Sequence, residues 1–135
     1  MKRVLILLFC LCMLSIGIAE GTGADIDLTA LSGDVLADRL AEIRGNPEAY
    51  AGMTVRVQGQ HYGWEAEGES RHSLIVCGSC MCTEVGITLF PAGDAGLDWP
   101  ENNRQMIVTG TVEMYENSLG VPTARLAVFS VEPVE

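Results

Sequence analysis

A small, mostly β domain, built as a five-stranded barrel behind a short N-terminal helix, is the architecture expected of this chain. Five stretches read as strands, the first with the two-residue alternation of a strand that buries one face. Gly59 and Gly110 interrupt two of those stretches, where barrel strands have to bend. Ahead of them, Leu36, Leu40 and Ile43 share one helical face.

The first 19 residues are unlike the rest. Lys2 and Arg3 precede an apolar run from Val4 to Ile18, and Gly17 and Ala19 supply the small-x-small pattern of a signal-peptidase site. The run falls short of the roughly 20 residues that span a bilayer. A secretory signal cleaved after Ala19, or as second choice after Ala24, is therefore expected, with no stable membrane span left afterwards. Cys10 and Cys12 lie inside the apolar run and do not follow the small residues of a lipoprotein signal. The location implied is extracytoplasmic, either periplasmic or secreted.

Losing the signal removes Lys2 and Arg3, which leaves six arginines, no lysine and all 18 acidic residues, near −12 overall. A domain so acidic repels a phosphate backbone, so no nucleic-acid partner is expected. Residues 20–33 are rich in Gly, Asp and Thr and read as a flexible leader. The folded domain is placed at residues 34–135.

Asp34 opens the helix, Gly45 stops it, and Asn46-Pro47 starts a short turn ending near Tyr50. Met53, Val55 and Val57 then alternate with polar residues into the bend at Gly59. A polar hairpin at Glu65 to Glu69 leads to a second strand from His72 to Val76, and a third runs from Val85 to Phe90. Pro91 to Asn103 reads as a loop. Met106, Val108, Val112 and Met114 mark the fourth strand, and Thr123 to Val131 the fifth. Val55, Val57, Ile75, Ile87, Val108, Val112, Leu126 and Val128 are the expected core. A β-sandwich would need about seven strands, more than this length supplies.

The runs NPEAYAGMTVRVQGQ, VGITLF behind a cysteine cluster, and MIVTGTVEMYEN before a strand ending SVEPV resemble exported bacterial domains of the OB fold. Such domains open with Pro-x-x-Tyr-x-Gly-x-x-Val-x-Val-x-Gly, met here by Pro47, Tyr50, Gly52, Val55, Val57 and Gly59. Among them is the extracytoplasmic domain of a two-part permease linked to zinc homeostasis. The resemblance spans roughly Leu40 to Glu132 and implies a five-stranded OB-like barrel with a zinc connection. Cys77 matches the first of two adjacent cysteines in that pattern. Gly78 stands in place of the second, and Cys80 and Cys82 are additional.

Chemistry concentrates in Cys77-Gly78-Ser79-Cys80-Met81-Cys82. Three sulfurs at C-x-x-C-x-C spacing can converge on one soft cation, Zn²⁺ or Cu⁺. His61 and His72 are the only histidines and the candidate fourth donors. Two other readings stay open: a Cys77–Cys80 disulfide with Cys82 as a small apolar residue, and redox catalysis. The last would need a low-pKa thiolate, which a strand end near Glu84 does not favour. Tyr62, Trp64 and Trp99 could form a stacking face or close the barrel ends. No Ser-His-Asp set, phosphate loop or paired-carboxylate motif is recognisable, so a non-catalytic role is expected. The function expected is an exported OB-like domain binding a soft metal through the cysteine loop. The alternative is a disulfide-stapled module for a protein or small ligand.

Overall fold

Alternation written along the chain becomes, in a computed structural model, a closed barrel. The structure describes residues 23–80, 83–93 and 96–135, so the expected signal lies outside the described residues. The elements in order are β1 (Ile26–Asp27), α1 (Gly33–Gly45), α2 (Pro47–Tyr50), β2 (Thr54–Ala66), β3 (Glu69–Cys77), β4 (Glu84–Pro91), β5 (Gln105–Glu116) and β6 (Pro122–Pro133). The sheet runs β1-β2-β3-β4-β6-β5 and closes through a β2–β5 pairing. β4 and β6 are parallel, whereas the other neighbours within the barrel are antiparallel. Five strands closed in this order, with one extra strand and a preceding helix, make an OB-like fold.

Closure depends on β2 serving two partners. Thr54 to Gln60 pairs with β5, and Gln60 to Ala66 pairs with β3. Gly59 sits at the change-over, where a Cβ would stand 2.6 Å from Leu74 Cδ2 and 2.8 Å from the Ile75 carbonyl oxygen. Gly110 lets β5 approach β6 as closely. Its Cβ would fall 2.7 Å from the Ala127 oxygen, beside the register shift between Thr109 and Gly110. Both glycines therefore mark a close approach of strands, where the sequence had suggested a bend or bulge.

The core is filled by Val55, Val57, Leu74, Ile87, Val108, Val112, Leu126 and Val128, and is joined by Leu36, Leu40 and Ile43 of α1. This helix packs against β3, β4 and β6. Two expectations need correction. Ile75 faces outward, while Leu74 and Val76 are the buried residues of β3. The Leu74-Ile75-Val76 run is apolar on both faces, so alternation alone could not choose the phase. The expected leader is also ordered against the barrel from residue 23 on. Ile26–Asp27 pairs in parallel with Val55 and Arg56, and Leu28 is buried in the core.

Candidate functional site

Alternation along β2 sends Val55, Val57, Gly59 and His61 inward and Tyr62 and Trp64 outward. β3 sends Leu74 and Val76 inward, and His72 lies in phase with them. The two histidines thus approach each other inside the barrel wall, where Gly63 pairs with His72 and His61 with Leu74. His61 Nε2 and His72 Nδ1 are 2.9 Å apart, and the ring centroids are 5.2 Å apart. That centroid separation is about the greatest two imidazoles joined by such a contact can reach, so the nitrogens meet nearly head-on.

Trp99 lies over this pair. Its ring centroid is 4.1 Å from that of His72 at 11° between planes, and 5.6 Å from that of His61 at 17°. The β4–β5 loop that carries it is held by Asn102, whose side chain accepts from Gly63 N and donates to Gly63 O. Backbone bonds Asn103 N to His61 O and His61 N to Arg104 O add to this. His61 is 4% exposed, and its Nδ1 has no hydrogen-bond partner. His72 is half-buried, and its pKa is lowered. Desolvation is the first cause and the neighbouring His61 the second, with Glu65 opposing.

The cysteine loop lies elsewhere. Cys77, at the C-terminal end of β3, is five residues from His72, about 16 Å along an extended strand. Cys77 and His72 are therefore not brought together. Cys77 carries a free, exposed thiol. Cys80 is disulfide-bonded, so its partner is not Cys77 and the Cys77–Cys80 staple is not formed. Cys82 and Met81 lie outside the described residues. Among the described residues no group of three or more His, Cys, Asp or Glu side chains is placed to hold a metal ion.

The loop is tied to α1. The Asp34 carboxylate accepts from the Ser79 backbone N–H at 2.9 Å and from the Ser79 hydroxyl. These bonds, the hydroxyl's first, lower the Asp34 pKa. Gly78 leaves room for that carboxylate and for Thr83.

A third region is the outer surface of β2, β3 and β4. Tyr62 is 47% and Trp64 39% exposed, with ring centroids 5.8 Å apart. They border a depression of about 470 Å³ completed by Ser73, Ile75, Glu84 and Gly86. Residues two apart on one strand share a face, which is how Tyr62 and Trp64 come to stand together. Their exposure and Trp99's contact with the histidines divide the three aromatics that the sequence had grouped.

Strand order and closure make the molecule an OB-like barrel domain. No protein-family model matches the chain, and no curated protein matches it.

Proposed function

We propose that this chain is an exported, non-catalytic OB-like module that binds a protein or small ligand on the outer face of β2, β3 and β4. The observation that carries the reading is the exposed Tyr62–Trp64 pair bordering an open depression. Exposed aromatic rings side by side provide a large, rigid contact area whose burial favours association. Ser73 and Glu84 supply polar groups at the rim. The acidic surface disfavours anionic ligands and speeds encounter with neutral or cationic ones.

Arrayed peptides and oligosaccharides, probed with the parent protein and with Tyr62→Ala and Trp64→Ala, test this. Ligands retained by the parent should be lost or weakened at least tenfold in both variants and kept by Cys77→Ser. Equal binding by all four proteins overturns the proposal.

The cysteine loop supports a second reading, because Cys77 offers a free, exposed thiol. Soft-metal binding by all three sulfurs would require the Cys80 disulfide to be reduced first. A thiol count on the exported protein separates the two. One thiol per chain regardless of chelator favours the binding module, and three thiols appearing only after chelation favours the metal.

A further inference from the structure

We propose that His61 and His72 form a two-coordinate site for one soft monovalent cation, Cu⁺ in chemical class, held between the imidazoles beneath the indole of Trp99. The outer-face reading is neither needed for this nor changed by it.

Two nitrogens that meet head-on share a single hydrogen along the line between them. That line is the geometry that monovalent coinage-metal ions adopt with two nitrogen donors, opposite one another across the ion. A metal with more ligands would need donors that converge from several sides, and among the described residues no such group is placed. With nitrogen–metal bonds of about 2 Å the two nitrogens must separate to about 4 Å. His72 supplies that movement, since it is half-buried whereas His61 is fixed in the wall.

Two further features fit a cation at this point. The ring separations place the centroid of Trp99 about 4 Å from the midpoint of the two nitrogens, within the reach of a cation–π contact. On β2, Gly63 leaves open the space beside them. A Cβ there would stand 3.3 Å from His61 Nε2 and 3.4 Å from His72 Nδ1. Asn102 holds that glycine's backbone at both its N–H and its carbonyl.

The exchange balances without redox chemistry. Each neutral ring carries one hydrogen before and after. When the ion takes the shared position, the ring that donated the shared hydrogen takes it up on its far nitrogen, so that His61 Nδ1 and His72 Nε2 each end with one hydrogen. No net proton is released.

Ag⁺ is the probe, because it shares the linear preference and does not change oxidation state. It is titrated into the full chain with free thiols alkylated, and in parallel into a chain with all five cysteines replaced by serine. Both carry Trp64→Phe, so that Trp99 alone reports by fluorescence. One Ag⁺ per chain should quench Trp99 and shift the imidazole ¹⁵N resonances of both histidines. His72→Ala and His61→Gln should each weaken binding at least tenfold, and Gly63→Ala should weaken it with both histidines present. Zn²⁺ should bind at least tenfold more weakly than Ag⁺. Unchanged Ag⁺ affinity in folded His72→Ala, equal affinity for Zn²⁺, or no saturable quenching in either parent background would overturn the proposal. Loss of binding on Tyr62→Ala with His72→Ala unaffected would instead assign the ion to the outer face.

Discussion

At Gly59 and Gly110 a single hydrogen in place of a side chain decides whether strands can close. The contact at Gly110 is with the backbone of β6, which cannot rotate away as a side chain would. Gly110→Ala should therefore cost roughly 1–3 kcal/mol, typical of overpacking, measured as a fall in the denaturant midpoint at unchanged slope. Asp34 is the residue through which pH reaches the cysteine loop. Its folded value lies below the ordinary 3.8, chiefly through the Ser79 hydroxyl. The unfolded chain thus takes up the proton first. The bond to Ser79 is fully present above pH 3.8 and is lost as pH falls through the folded value. The Ser79 amide resonance should titrate in that acid range, and Asp34→Asn should abolish the titration. A resonance that stays fixed down to the acid limit would show that the tie is not made. Both glycines were legible because each interrupts an alternating strand. The Asp34–Ser79 bond was not, for the two are 45 residues apart and neither belongs to a motif.

Strands were read well wherever one face is polar. The expected second to fifth strands coincide with the interiors of β3, β4, β5 and β6, and the helix with α1. β3 shows where the signal stops. Leu74, Ile75 and Val76 give no alternation, and the phase is settled by tertiary pairing with β2 and β4. Leu74→Ala should cost about 2–5 kcal/mol and Ile75→Ala less than about 1, because only the first opens a cavity. Equal losses in urea unfolding would show that the phase is wrong. Val108→Ala, buried on β5, should fall at roughly 1–3 kcal/mol. The histidine site was half legible. His61 and His72 stood out as the only pair, yet the sequence joined them to a cluster whose first cysteine, Cys77, lies at the far end of β3. Trp99 joins them through a loop folding back over 27 residues, which no local pattern records.

Taken whole, the molecule is a barrel with a strongly acidic surface whose cations are largely engaged. Arg39, Arg56, Arg71 and Arg125 each pair with an acid, and Arg44 bonds the Gly86 carbonyl. If the expected signal is processed, intact mass should place the exported N-terminus near Glu20, and retention of Met1 to Ala19 would refute export by cleavage. Processing after Ala19 or after Ala24 leaves β1 in place, and that short strand carries a consequence for the protein in solution. β2 turns away from β3 at Gln60, and beyond it β1 lies along Val55 and Arg56 on the flank that β3 has left. Leu28 N bonds the Arg56 carbonyl at 2.8 Å, and the Asp25 carboxylate accepts from Thr54 N. The segment thus acts as a guard strip over backbone that would otherwise template pairing between copies. A chain begun after Leu31 would lose that cover and the Leu28 plug together. It should form oligomers at concentrations where the longer chain sediments as a monomer, so storage and expression depend on residues 25–31, a stretch that resembles a disposable leader.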